Sequence, residues 1–505
     1  MRVEVTGGVV QGSVRRGLRM WRGIPYAAPP TGERRFHAPE PILAWPGVRA
    51  ASEFGPIAPQ DRDGQFRVRT NASMSEDCLT LNIITPPNDD GPRPVMVFIH
   101  GGAYSVGSAR EILKQGEALV RSGEVLFVNL QYRLGGLGYL DLSSFTTRSR
   151  AFESNLGLRD QVAALEWVNM NIRGFGGDPE RVTIFGESAG GNAVTTLMTV
   201  PKAANLFWRA IAQSSPTNAI YPPDVTAIWA QQFVELLSEE VDNSSTESTA
   251  SEDVGELLMS APFEQIVRAT TRLQLMTPDR FPGTVCLAPV IDGEFLPERP
   301  LDAFKEGRAH HVPLIIGTND REGSLFRGRL DILATTPPRI RAIFARTRKR
   351  SRRALKAQYP GLPAHRAAAD FAGDFAFWYP SIKVAERHAE YAKVWFYRFD
   401  IAPRLLRVLG LDATHGLELF ALFDRMNGVL GRGLGILGGR RAFARAGLRM
   451  RQRWLSFAVG DAPGKDWPKY TRRRRRTLII DRQDRVEEDP RRERRIAWHG
   501  VVPHV

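Results

Sequence analysis

The chain has 505 residues, 43% of them hydrophobic and 25% charged, a composition that indicates a folded globular protein and excludes a largely disordered one. Its 69 lysines and arginines against 55 aspartates and glutamates give a net charge of +14. No apolar run reaches the roughly 18 residues that a membrane-spanning helix needs, so no membrane span is predicted.

The amino terminus predicts a β-hairpin over residues 3–10, in place of the basic and apolar segments of a secretion signal. Only two cysteines occur, Cys78 and Cys286, too few for a disulfide framework and spaced for no metal site. We therefore expect a reducing compartment, which favours a cytoplasmic location, and we expect neither a metal nor another cofactor.

Short apolar runs alternate with helical patterns along the rest of the chain, a rhythm typical of a mostly parallel sheet flanked by helices. Residues 157–172 place apolar side chains at three- and four-residue steps, which predicts a crossover helix packed on the sheet. We interpret 326–380 and 428–447 as insertions between strands, and 243–254 as a polar surface loop. The predicted strands are 95–99, 125–130, 182–185, 210–213, 314–316 and 394–399.

Two arginine-rich stretches, 346–353 and 472–476, contribute to the positive charge. Such runs can bind nucleic acid or other anionic surfaces. Aromatic residues are not interleaved with them, and no RNA- or DNA-binding motif is present. We therefore interpret them as solvated faces and expect no nucleic-acid partner.

The sequence GESAG at residues 186–190 predicts a nucleophilic serine. A buried strand runs into this G-x-S-x-G pattern and a helix follows it, which is typical of a strained turn that exposes a serine hydroxyl. The glycines remove the Cβ atoms that would clash across the turn. The start of the helix directs backbone N–H groups towards a developing oxyanion, so Ser188 is the candidate nucleophile.

A second glycine-rich element, HGGA at residues 100–103, directly follows the predicted strand 95–99. Hydrolases with the G-x-S-x-G turn carry at this place the loop that donates further N–H groups to the oxyanion. The glycine pair lets the backbone approach a substrate carbonyl.

These motifs resemble the type-B carboxylesterases, the family that includes cholinesterases and bacterial p-nitrobenzyl esterases. The resemblance covers nearly the whole chain and implies one α/β-hydrolase domain over residues 1–505, with a large, mostly parallel sheet and helical insertions over the active site. It also implies a serine carboxylesterase that hydrolyses small-molecule esters through an acyl-enzyme. The matching sequences are GIPYA at 23–27, PP at 29–30, RF at 35–36, SEDCLTLN at 75–82, HGG at 100–102, GDP at 177–179 and GESAGG at 186–191.

The resemblance implies that the N–H groups of Gly102, Ala103 and Ala189 form the oxyanion hole. A catalytic acid in this fold follows the serine along the chain. Glu322 and Asp320 both come directly after the predicted strand 314–316, and the family's Glu-Gly turn favours Glu322 over Asp320.

His415 is the candidate general base, because it follows the predicted strand 394–399 and its sequence HGLE resembles the family's His-Gly-x-Glu turn. No other histidine has a comparable context. The resemblance assigns to Ser214 a hydrogen bond that supports the acid. It also predicts two structural ion pairs, Arg35 with Glu76 and Arg133 with Asp178.

The sequence departs from its relatives at two places. Ala58 stands where secreted relatives carry the cysteine that would pair with the one at position 78, so that bridge cannot form. Residues 61–74 lack the tryptophan with which cholinesterases hold a quaternary ammonium, so choline esters are not expected. Two alternatives are a catalytically weak cholinesterase-like binding protein and a nucleic-acid-associated basic protein, whose DNA affinity would fall steeply with salt.

Overall fold

A computed structural model describes residues 1–62, 71–87, 91–242, 253–326, 331–460, 462–499 and 501. The strands are β1 (Arg2–Val5), β2 (Gly8–Gln11), β3 (Ser13–Arg15), β4 (Leu18–Pro25), β5 (Val48–Ala50), β6 (Thr80–Thr85), β7 (Arg93–Ile99), β8 (Leu126–Leu130), β9 (Gly177–Glu187), β10 (Arg209–Gln213), β11 (Leu314–Asn319), β12 (Val394–Phe399), β13 (Arg476–Ile480) and β14 (Arg485–Glu488).

The α-helices are α1 (Ala109–Val120), α2 (Leu156–Asn171), α3 (Ala189–Leu197), α4 (Pro223–Asp242), α5 (Val254–Ser260), α6 (Phe263–Arg280), α7 (Pro300–Glu306), α8 (Pro337–Arg346), α9 (Lys349–Gln358), α10 (His365–Gly373), α11 (Tyr379–His388), α12 (Arg404–Val408), α13 (Leu417–Leu422), α14 (Val429–Leu434), α15 (Arg440–Val459) and α16 (Arg492–Trp498). None of these described helices is long and apolar enough to cross a bilayer.

The central sheet has eleven strands in the order β14-β13-β12-β11-β10-β9-β7-β8-β6-β4-β3. The middle of the sheet, from β13 to β8, is parallel, and the strands outside it pair antiparallel. All six predicted strands lie in this parallel part, and α2 is the predicted crossover helix. The predicted hairpin is also present, because β1 pairs antiparallel with β2.

Side chains of the central strands alternate between two hydrophobic cores, one on each face of the sheet. In β7, Val95, Val97 and Ile99 pack in one core, whereas Met96 and Phe98 pack in the other. This two-residue period follows from strand geometry, in which successive side chains point to opposite faces. The sheet is therefore covered by apolar side chains on both faces.

The described part of the predicted insertion 326–380 is helical, as expected, and contains α8, α9, α10 and a π-helical turn over Asp374–Trp378. Most of the polar stretch 243–254, and much of the loop 61–74, lies outside the described residues. Both cysteines are free and buried.

One of the two predicted ion pairs is present, and the prediction of the other is wrong. Arg35 Nε donates to Glu76 Oε2 at 2.8 Å, as expected. Arg133 pairs instead with Asp160 of α2, where Nη2 lies 2.7 Å from Oδ1 and Nε lies 2.9 Å from Oδ2. Both side chains are buried, so loss of either one would leave an unpaired charge inside the protein. The Asp178 carboxylate accepts the N–H of Glu180.

Candidate active site

The turn that carries Ser188 joins the end of β9 to the start of α3. Ser188 has φ 60° and ψ −124°, a conformation that L residues rarely adopt, and its N–H donates to Gln213 O at 2.9 Å. A Cβ on Gly190 would overlap the carbonyl oxygen of Ile99, and a Cβ on Gly186 would lie 2.5 Å from the carbonyl oxygen of Gly190. The two glycines are thus required by close backbone packing.

The segment after β7 lies against the same turn. Gly102 has φ 128°, and a Cβ there would overlap the carbonyl oxygen of Val106, while Ala103 also has a positive φ of 54°. Gly102 and Ala103 line one cavity together with Ser188 and Ala189. The sequence-predicted oxyanion-hole residues are therefore brought together around the serine.

Glu322 begins a 3₁₀ turn directly after β11, and both of its carboxylate oxygens are engaged. Oε1 accepts the Ser214 hydroxyl at 2.6 Å and the N–H of Asn319 at 2.6 Å. Oε2 lies 2.6 Å from Nδ1 of His415. The hydrogen bond expected of Ser214 is thus present, and the carboxylate is fixed in position on both oxygens.

The rival carboxylate, Asp320, is turned away from the histidine. Its Oδ1 lies 2.6 Å from Arg491 Nη2 and 3.5 Å from Arg398 Nε, and its side chain is 32% exposed. Of the two candidates, the structure brings only Glu322 to His415.

His415 is buried between aromatic rings and acidic groups. The ring centroids of Phe377 and Phe326 lie 4.4 Å and 5.2 Å from that of the imidazole. Its Nε2 lies 3.2 Å from Oε1 of Glu187, the residue before the serine, and makes no hydrogen bond within the described residues. Since His415 and Ser188 line the same cavity, this nitrogen is the ring atom left for the serine hydroxyl.

The two acidic neighbours determine the protonation of the imidazole. Burial lowers the pKa of His415, but the charges of Glu187 and Glu322 outweigh it and raise the pKa to about 9. Burial raises the pKa of Glu187 to about 7, against the opposing effect of His415. The titrations of His415 and Glu187 are therefore linked, because ionisation of each group favours the charge of the other.

A third buried carboxylate, that of Glu418, lies close to those of Glu187 and Glu322. Asn319 Nδ2 donates to Glu418 Oε2, and burial, with the nearby charges of Glu187 and Glu322, raises the pKa of Glu418 to about 8. The sequence interpretation gave neither Glu187 nor Glu418 a role. Their positions inside the two catalytic motifs, beside Ser188 and three residues after the histidine, are the signal that could have identified them.

Arg321 connects the acid-bearing turn to the loop that carries the histidine. Its Nη1 donates to Gly410 O at 2.9 Å and to Asp412 Oδ2 at 2.7 Å, and its backbone N–H donates to Ala413 O at 3.0 Å. Its Nε donates to Asp370 Oδ1 of α10 at 2.8 Å. The buried guanidinium thereby holds three separate segments around the acid.

The cavity over Ser188 has a volume of about 520 Å³ and largely apolar walls. Its ionisable lining groups among the described residues are Glu187 and His415, together with two tyrosine hydroxyls. The apolar walls include Val285, Leu287, Leu325, Phe326, Leu333, Phe375 and Phe377. Such a cavity favours uncharged, apolar ligands with one polar group at the serine.

Comparisons with known proteins agree with this architecture. The sequence profile of the carboxylesterase family matches residues 1–498. The para-nitrobenzyl esterase of Bacillus subtilis (strain 168) is 35% identical over 97% of this chain and 96% of its own length. The fumonisin B1 esterase of Sphingopyxis macrogoltabida is 33% identical over 92% of this chain and 84% of its own length.

A solved structure of a PNB esterase superposes with a TM-score of 0.85 at 33% identity, covering 98% of this chain and 99% of the other. This match confirms the α/β-hydrolase fold expected from the motifs. The family profile and the relatives matched over most of the chain confirm the resemblance to type-B carboxylesterases and do not favour a catalytically weak cholinesterase-like binding protein. The chain belongs to the carboxylesterase family.

Proposed function

We propose that Ser188, His415 and Glu322 carry out the ester hydrolysis of this serine carboxylesterase. The observation that carries the assignment is the 2.6 Å contact between Glu322 Oε2 and His415 Nδ1, because His415 lines the same cavity as Ser188 and its strained turn. Glu322 accepts the Nδ1 proton, which fixes the tautomer and leaves Nε2 as the base.

In the first step, Nε2 of neutral His415 accepts the hydroxyl proton of Ser188 while the serine oxygen attacks the ester carbonyl. The carbonyl oxygen becomes an oxyanion, which accepts the N–H groups of Gly102, Ala103 and Ala189. The histidine then gives its proton to the leaving alcohol. Water attacks the acyl-enzyme by the same route and releases the carboxylic acid.

We further propose that the substrates are uncharged esters with apolar acyl or aryl groups. The apolar walls support this choice, and the carboxylate of Glu187 disfavours anionic substrates. A panel of p-nitrophenyl esters of graded acyl length, read as kcat/KM, tests it. A preference for an anionic acyl group over its neutral analogue would contradict it.

Replacing Ser188 with alanine tests the nucleophile. We expect Ser188→Ala to lower kcat for p-nitrophenyl acetate by about 10⁴-fold or more, and to abolish labelling by an organophosphate at the peptide 181–198 in mass spectrometry. Ser215→Ala is the matched control, since that buried hydroxyl bonds Thr195 and Thr217 and lies outside the proposed machinery. Wild-type turnover in Ser188→Ala would overturn the assignment.

We also infer a reducing, cytoplasmic location, because the chain has two cysteines and both are unpaired and buried. Fractionation of the source cells followed by an activity assay checks this inference. Nucleic acid is not a proposed partner, and a gel shift at moderate salt that shows DNA binding would contradict this.

A further inference from the structure

The end of α12 and the segment after α14 expose two adjacent pairs of large apolar side chains. Val408 and Leu409 are 74% and 60% exposed, and Ile436 and Leu437 are 75% and 48% exposed. Among the other described residues, no two large exposed hydrophobic side chains are neighbours in sequence. Scattered apolar residues are ordinary on a protein surface, whereas a contiguous group indicates a binding surface.

The two pairs belong to one surface because the segments that carry them are in contact. The N–H of Arg404, at the start of α12, donates to Gly438 O at 3.3 Å. A Cβ on Gly439 would lie 3.4 Å from Pro403 Cα. Because α12 is only about 7 Å long, its far end stays close to this contact. We call the set of Val408, Leu409, Ile436 and Leu437 the α12–α14 surface.

Exposed arginines lie on the helices that carry or adjoin this apolar set. They occur in α12, in α14 and on the first turns of α15. None of them forms an ion pair with a carboxylate in the part of the chain that the structure describes. They are Arg404, Arg407, Arg432, Arg441 and Arg445.

The acidic residues that flank α12 in sequence do not neutralise its arginines, and the first of them, Asp400, is paired with Arg398 at 2.7 Å. Asp412 is held by Arg321 at 2.7 Å and by Arg366 at 3.2 Å. The surface therefore combines unpaired positive charge with exposed apolar side chains, and its partner must offer negative charge and an apolar layer together. A second copy of this chain would bring like charges face to face, which is unfavourable.

We propose that the α12–α14 surface binds the anionic surface of a phospholipid bilayer. The four apolar side chains enter the boundary between headgroups and acyl chains, while the guanidinium groups contact lipid phosphates. This binding is peripheral and goes beyond ester hydrolysis. Since α12 follows β12 at the edge of the sheet that also carries His415, the bound protein holds its catalytic edge next to the lipid.

Sedimentation with vesicles tests the proposal on the full-length protein. We expect the bound fraction to give an affinity at least about tenfold higher for vesicles of equal parts phosphatidylglycerol and phosphatidylcholine than for phosphatidylcholine alone. Val408→Ser combined with Ile436→Ser should lower the affinity for the anionic vesicles by about tenfold. Arg407→Gln combined with Arg441→Gln should do the same and weaken the salt dependence.

Two double variants are matched controls. Val14→Ser with Leu43→Ser removes apolar side chains of similar exposure, 65% and 73%, from another part of the surface. Arg472→Gln with Arg473→Gln removes exposed arginines from another cluster. Both controls should bind vesicles like the wild type, and all variants should hydrolyse a soluble p-nitrophenyl ester at the wild-type rate, which shows that they fold.

Three results would overturn the proposal. These are no vesicle binding, equal binding to both vesicle types, and a loss of binding in the two controls as large as in the surface variants. Sedimentation velocity without lipid covers the remaining alternative, since a dimer that Val408→Ser with Ile436→Ser dissociates would identify the surface as an interface between two copies. An unchanged sedimentation coefficient with lost vesicle binding supports the lipid assignment.

Discussion

The turn at Ser188 takes its shape from residues 186–190, whereas the acid and histidine meet through contacts between residues about a hundred positions apart. The turn depends on missing Cβ atoms and tight backbone packing. The acid–histidine pair depends on charges and hydrogen bonds that converge from β10, β11 and the loop before α13. Changes at the turn should therefore alter stability and activity together, and changes at the pair should mainly alter activity.

After Ser188→Ala, the largest effect on rate is expected for Glu322→Gln. The amide keeps the size of the side chain but removes the charge that stabilises the imidazolium and selects the tautomer, so kcat should fall by about 10³- to 10⁴-fold. Assays with p-nitrophenyl acetate measure the fall in kcat, and thermal melting measures any change in stability. Asp320→Asn, in the same turn, is the control and should retain near wild-type kcat. A loss of less than tenfold in Glu322→Gln would refute the pairing.

A loss of stability by about 3 kcal/mol, with loss of activity, is expected for Gly190→Ala. The added Cβ overlaps the carbonyl oxygen of Ile99, and backbone in this position cannot move without displacing β7. Chemical denaturation gives the free energy of unfolding. Gly433→Ala is the matched control, because a Cβ there meets open space, and it should be at least as stable as the wild type, since alanine is favoured over glycine in a helix. Equal stability of the two variants would contradict the role of close packing.

An intermediate effect is expected for Arg321→Met, which keeps much of the side-chain volume but removes the link to the histidine loop. We expect kcat to fall by about 10- to 100-fold with little change in KM, because a small displacement of the base slows proton transfer more than binding. Arg321→Lys should restore part of the rate. Asp370→Asn removes only the partner in α10 and is the control. A rise in KM with unchanged kcat would contradict this positioning role.

The smallest effect, a change in pH dependence, is expected for Glu187→Gln. Activity rises with pH as His415 loses its proton, and the negative charge of Glu187 raises the pKa of that histidine. Without this charge the ascending limb of kcat/KM should move to lower pH by about one unit. Glu418→Gln, which is farther from the imidazole, should move it less. A limb that moves to higher pH would refute the electrostatic argument.

The sequence predicted the parts of the molecule that depend on local pattern. The six strands, the hairpin, the crossover helix and the turn at Ser188 follow from apolar periodicity and glycine spacing. The partner of Arg133 could not be predicted in this way, because the pairing depends on where distant elements meet. Asp160 of α2 lies beside Arg133, whereas Asp178 lies at the start of β9, at the edge of the sheet opposite to the end of β8 that Arg133 follows. The carboxylates of Glu187 and Glu418 likewise become a cluster only when β9 and α13 meet.

The buried carboxyl groups of Glu187, Glu322 and Glu418 affect the release of the product after hydrolysis. Hydrolysis turns a neutral ester into a carboxylic acid in the cavity that Glu187 lines, and the negative charge of Glu187 develops as the pH rises past about 7. Like charges at short range repel strongly where water is scarce. We therefore expect the acid product to leave the cavity more readily as the pH rises, because an ionised Glu187 repels the product carboxylate.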